Sequence, residues 1–135
     1  METLAKSNGV AAELQMHIYA TRGSVAAGDD GDAPHGRLFT LPDATSLPDA
    51  LKHIQAARYL PNISGGQATW SVASNRPLAI VAQQWAEPKM VATLPEDLQG
   101  LDWEEGTLRL HFNYHAQIDP DIVYRVLWGY RLNAG

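Results

Sequence analysis

The chain contains no cysteine. That absence excludes a disulfide framework, a zinc-thiolate site and a thiol nucleophile, and it fits a reducing compartment. Long apolar runs are also missing: no window approaches the roughly 18 residues of a membrane span, and Met1 to Gln15 lacks an apolar run of signal-peptide length. A cytoplasmic protein with no membrane partner is expected. Clustered Lys and Arg are absent too, and the formal net charge is −5. Phosphate-dominated binding runs on clustered cations that release counterions, so nucleic acid is not an expected partner. No internal repeat is visible.

What remains is a globular composition. Of the 135 residues, 45% are hydrophobic and 19% charged, far from the balance that leaves a chain disordered. The length suits one domain with one core. Residues 1–12 carry little periodicity and are expected to form a flexible tail, with a single α+β domain over 13–135.

Leu14, Met16, Ile18 and Ala20 alternate with Gln15, His17, Tyr19 and Thr21, the period-2 pattern of a strand buried on one face. Arg37 to Leu41 reads as a short strand stopped by Pro42. Ser46, followed by Pro48 and Asp49, predicts a capped helix burying Leu47, Leu51 and Ile54. Pro61, Asn62, Gly65 and Gly66 supply its exit loop. Ala68, Trp70 and Val72, a turn at 74–77, and the run Leu78 to Ala82 then read as a β-hairpin. Lys89 to Leu94 predicts a further strand and Pro95 to Leu98 one helical turn.

The clearest strand sets Leu108, Leu110, Phe112 and Tyr114 against Arg109, His111, Asn113 and His115. After it, Asp119 and Pro120 should start a helix with the stripe Ile122, Val123, Val126, Leu127 and Tyr130, ended by Gly129. Strands with one clean polar face are not covered on both sides. The expected fold is therefore a two-layer α+β sandwich: a largely antiparallel sheet of about five or six strands with two helices on one face. Its open face should present His17, Tyr19, Thr69, Ser71 and the Arg109 to His115 row.

Gly28 to Gly36 reads Gly-Asp-Asp-Gly-Asp-Ala-Pro-His-Gly and is the densest cluster of acid and imidazole groups. It is not an EF-hand, since counting from Asp30 puts Pro34 at position five and Leu41 at position twelve. Asp29, Asp30, Asp32 and His35 could offer oxygen and imidazole ligands, but the spacing is not diagnostic, and Asp and Gly dominate loops for conformational reasons alone. His111 and His115 have the four-residue spacing of a helical metal pair. On a strand those four residues span about 13 Å, too far for one ion. No metal or cofactor is therefore expected.

His17 lying opposite His111 or His115 would form an imidazole cluster able to bind an anion, with Arg109 and Tyr19 nearby. Ser64, Ser71 and Ser74 form no recognisable nucleophile elbow. Trp70 and Trp128 should pack the core, with Trp85 and Trp103 nearer a rim. Between Lys89 and Arg109 every charged residue is negative: Glu96, Asp97, Asp102, Glu104 and Glu105. Joined to the 28–36 loop, they suggest an acidic surface that steers a basic protein. The expectation is a non-catalytic binding or regulatory module for a basic protein partner, monomeric or weakly dimeric. The alternative is a metal- or anion-dependent ligand-binding protein or enzyme centred on the 28–36 loop. The candidate ligand-binding residues are His17, Tyr19, Asp29, Asp30, Asp32, His35, Arg109, His111, Asn113 and His115.

Overall fold

The computed structural model describes residues 15–23, 36–61, 63, 65–91 and 98–134. The elements run β1 (Gln15–Arg22), β2 (Arg37–Pro42), α1 (Leu47–Ala56), β3 (Thr69–Ala73), β4 (Pro77–Ala82), β5 (Lys89–Met90), β6 (Trp103–Glu104), β7 (Thr107–Tyr114) and α2 (Pro120–Ala134). The strands form one sheet in the order β2-β1-β7-β3-β4-β5, with β6 pairing the free half of β7 beside β3. Among the described strands only the central β1·β7 pair is parallel, so the α+β sheet is mixed, largely antiparallel and not closed.

Local signals explain most of these boundaries. Ser46 Oγ accepts from the Asp49 amide at 3.2 Å, and the proline in the first turn of α1 gives up an amide that would have no intrahelical acceptor. The β6–β7 hairpin turns on Glu105 and Gly106, both at positive φ, as a tight two-residue turn requires. In the β3–β4 turn the buried Ser74 accepts from the Asp102 amide at 2.8 Å, tying the hairpin to the strand entering β7.

The main core lies between α1 and one sheet face. Leu47, Ala50, Leu51 and Ile54 pack with Met16, Ile18, Phe39, Leu41, Leu108, Leu110, Phe112, Val72 and Trp70. Each fully buried Leu or Ile in such a layer stabilises the fold by roughly 1.5–3 kcal/mol.

The second helix corrects the sequence expectation, because it sits on the opposite face. Along β4, Ala79 and Val81 belong to the main core, while Ile80 between them packs with Val91, Val123, Trp85, Tyr124 and Leu127. Neighbouring strand residues point to opposite faces, so α2 covers the far side of β3 and β4. The unbroken apolar run Leu78 to Ala82 carried this signal, since a strand with no polar phase is buried on both sides. Thr69 and Ser71, expected on the open face, are consequently buried under α2 and the turn before it.

Two further expectations for α2 change. Its buried stripe is Val123 with half-buried Tyr124 and Leu127, whereas Ile122 and Val126 are exposed. Gly129 does not end the helix, which continues to Ala134. A glycine inside a helix costs only about 1 kcal/mol, and no proline follows to stop it. Of the strand expected over 89–94, Lys89–Met90 is present. The Pro95 to Leu98 turn falls largely outside the described residues, as do the expected tail and the residues from Gly28 to His35.

Candidate functional site

Because α2 covers only the β3–β4 side, the same face has no cover from the described residues over β2, β1 and β7. Its side chains fall into cross-strand rows set by register. One row reads Thr40, His17, Thr107 and Glu104, and the next Leu38, Tyr19 and Arg109. A third reads Thr21, His111 and Ala73. Tyr19 and Arg109 of the second row and all of the third, with Asn75, Asp102 and Leu110, line a concavity of about 300 Å³. Tyr19 and Leu38 are exposed at its side, and Arg109 and His111 are exposed within it.

Arg109 organises the polar part. Its Nε donates to Asp102 Oδ2 at 3.1 Å and its Nη2 to Asp102 Oδ1 at 3.3 Å, a two-pronged pair that fixes the guanidinium plane. Nη1 donates to Glu104 Oε1 at 2.7 Å. These carboxylates, Asp102 foremost through its hydrogen bond, hold the guanidinium pKa above its ordinary value. Asp102 is itself positioned from the backbone: its amide meets Ser74, and its carbonyl accepts from the Arg109 amide at 2.8 Å. Asn75, at positive φ, donates to the Gly100 carbonyl at 3.3 Å and pins the same segment.

The histidines do not converge. β1 and β7 are neighbours, but the parallel register sets His17 beside Thr107, four positions from His111. That is about 13 Å along a strand, so the imidazole cluster is not formed. His17 Nδ1 instead lies 3.2 Å from Thr40 Oγ1, and His111 Nδ1 lies 2.7 Å from Thr21 Oγ1. His115 Nε2 lies 2.7 Å from Ser71 Oγ, and burial pushes its pKa below the usual imidazole value. Asn113 is half-buried opposite Ser71. Among the described residues no group of three or more His, Asp or Glu side chains could hold a metal ion.

Asp29, Asp30, Asp32 and His35 lie outside the described residues, yet both ends of their segment are placed. Gly23 donates its amide to the Phe112 carbonyl at 3.0 Å, beside the end of β1. Gly36 lies against the Tyr19 phenol so closely that a Cβ there would fall 1.8 Å from the hydroxyl oxygen. Gly36, which follows the acidic segment in sequence, therefore lies at the rim of the open face.

The charge distribution refines the acidic-surface expectation. The described residues hold nine of the ten Lys and Arg but only eight of the fifteen Asp and Glu. The whole negative excess therefore resides in residues 1–14, 24–35 and 92–97. Asp102 and Glu104 share Arg109, and the described residues together carry one net positive charge.

Sequence reasoning picked out Tyr19, Arg109 and His111 in the concavity. Thr21 was read only as one polar position on β1, Asn75 only as a turn residue and Asp102 only as part of an acidic run. Pairing brings them to the other three, and no local pattern marks it.

The fold and face define a mixed-sheet α+β domain in which, among the described residues, half of one sheet face is uncovered. No protein-family model, curated protein or solved structure matches the chain. Among the described residues no helix is long and apolar enough to cross a membrane.

Proposed function

We propose that this protein is a non-catalytic binding module that engages a basic protein partner on the uncovered half of its sheet. The observation that carries the reading is the exposed Tyr19–Leu38 cross-strand pair beside the Asp102–Arg109–Glu104 network. An exposed tyrosine next to an oriented arginine is the composition that concentrates binding energy in protein interfaces, with Leu38 adding apolar area beside them. The acidic segment 24–35, followed in sequence by Gly36 beside Tyr19, supplies the complementary charge that steers and orients a cationic surface. A cytoplasmic setting fits the absence of cysteine.

The test is affinity capture from lysate with the native protein and a Tyr19→Ser, Leu38→Ser variant side by side. A partner retained at low salt, released near about 0.5 M salt where screening is short-ranged, and lost with the variant supports the reading. If no protein meets all three conditions, the reading fails.

A second reading makes the concavity a small-ligand site, and its volume of about 300 Å³ favours that. The two carboxylates already on Arg109 weigh against an anion. Thermal shift with a panel of neutral, cationic and anionic small molecules checks it, and no stabilisation by any of them at high concentration ends it.

A further inference from the structure

The hydrogen-bonding phase of β2 follows from the strands beside it. Gly23, in line with β1, donates to the Phe112 carbonyl, so odd-numbered residues of β1 turn their main-chain groups towards β7. Met16, Ile18 and Ala20 turn theirs towards β2, where they meet Leu41, Phe39 and Arg37. The alternate residues Leu38, Thr40 and Pro42 therefore direct their main-chain groups away from the sheet. Pro42 agrees with this phase, because a proline in an edge strand sits where its missing N–H faces outward. Its carbonyl accepts from the Thr45 amide at 3.3 Å. Leu38 and Thr40 are left with two N–H donors and two carbonyl acceptors, and no strand lies beside them among the described residues.

Edge strands are commonly guarded by a charge, a bulge or a proline. The charged side chain of β2 is Arg37, and it folds onto the α1 face. Its guanidinium carbon lies 4.8 Å from the Phe39 ring centre, and its Nη1 donates to the Ala57 carbonyl at 3.4 Å. The register with β1 runs without a bulge from Arg37 to Pro42, and the Leu38 side chain is 58% exposed. Pro42 closes the last position and leaves the two before it open.

We propose that this edge pairs with the same edge of a second copy of the chain, β2 against β2 about a two-fold axis at Phe39. An axis normal to the sheet makes the two strands antiparallel and the contact self-complementary. Leu38 of each copy then stands opposite Thr40 of the other, so four donors meet four acceptors and none is left over. Sliding by two residues would set Thr40 against Gly36, outside the strand. The pairing also places Arg37 opposite Leu41, so like charges are not opposed. A second copy is favoured over a free peptide because each strand is already ordered by its own sheet, whereas a peptide would lose chain entropy on joining. The contact uses main-chain groups at the edge, so it does not rest on the partner proposed for the open face.

Two residues per strand make a small interface, and the dissociation constant should be on the order of 0.1 mM. Sedimentation equilibrium of the native chain from about 10 µM to about 1 mM should pass from the mass of one chain towards that of two. Thr40→Pro deletes an outward N–H while sparing the bonds to β1, and should weaken association about tenfold or more, whereas Thr40→Val should leave it within about threefold. Oxidative cross-linking reads the register in a chain that has no cysteine of its own. Directly opposed positions stand about 5.5 Å apart between Cα atoms, within disulfide reach, and diagonal ones about 7–8 Å. A mixture of Leu38→Cys and Thr40→Cys chains should therefore cross-link in preference to either chain alone. Should Thr40→Pro not fold, the native mass and the cross-linking decide. A single-chain mass at the highest concentration, association unchanged in folded Thr40→Pro, or faster cross-linking of Leu38→Cys alone overturns the proposal.

Discussion

Gly36→Ala tests the seating of Gly36 on Tyr19. Gly36 is not among the glycines at positive φ, so its backbone suits alanine and the whole effect must come from contact. The new Cβ would lie 1.8 Å from the Tyr19 hydroxyl oxygen and 2.4 Å from its ring carbon Cζ. Ordinary contact begins near about 3.5 Å, so the phenol must move by about 1.7 Å. Overpacking of this kind costs about 1–3 kcal/mol, and because Tyr19 is exposed and can swing outward, the expected cost is near the lower limit, about 1 kcal/mol. In a Tyr19→Ala background the obstruction is gone. There Gly36→Ala should stabilise by about 0.4–1 kcal/mol, by restricting the unfolded chain. The sign therefore reverses, with a coupling of about 1.5–2 kcal/mol between the two positions. Urea unfolding of the four proteins, followed by tryptophan fluorescence, measures the cycle. An equal effect of Gly36→Ala in both backgrounds would refute the seating of Gly36 on Tyr19.

Ser46→Ala removes the acceptor for the Asp49 amide at the start of α1 and should cost about 1 kcal/mol in the same unfolding assay, while Ser46→Asp should not. Burial raises the Tyr59 phenol to about 12, with nearby Arg22 opposing it, so ultraviolet titration should show one tyrosine ionising late and absent from Tyr59→Phe. The unfolded chain releases that proton first, so its contribution to stability is intact below pH 10 and is lost as the pH rises towards 12. His115 has the opposite sense. Its lowered pKa lets the unfolded chain take up a proton first, so stability should fall as pH drops below 6.5 and be flat above it. Partial exposure keeps the slope to a fraction of about 1.4 kcal/mol per pH unit. An unchanged slope in His115→Gln would count against this account.

Much of the fold was legible because it is written in short-range patterns. Alternation placed β1 and β7 and assigned their faces, and Ser46 with Pro48 marked the start of α1. Failures came where a local rule met a tertiary one. Gly129 has the chemistry of a helix end but lies in a helix that packing carries further, and Ile122 fits a helical stripe yet faces solvent. The candidate site divided in the same way. Tyr19, Arg109 and His111 declared themselves as polar-phase residues on good strands, whereas Asp102 and Asn75 reached the concavity through bonds to segments 28 and 25 residues away.

The amino-acid sequence by itself determined which segments are strands and helices, which side chains alternate inward, and that these residues offer no thiol chemistry. Those properties depend on residues a few positions apart and on composition. Only the tertiary structure decided that α2 crosses to the second face and buries Thr69 and Ser71. It also decided that the β1·β7 register separates His17 from His111, and that Arg109 is spent on Asp102 and Glu104. Each of these is a long-range pairing, chosen by the combined burial and hydrogen bonding of the whole sheet, and period-2 alternation reads the same whichever neighbour a strand takes.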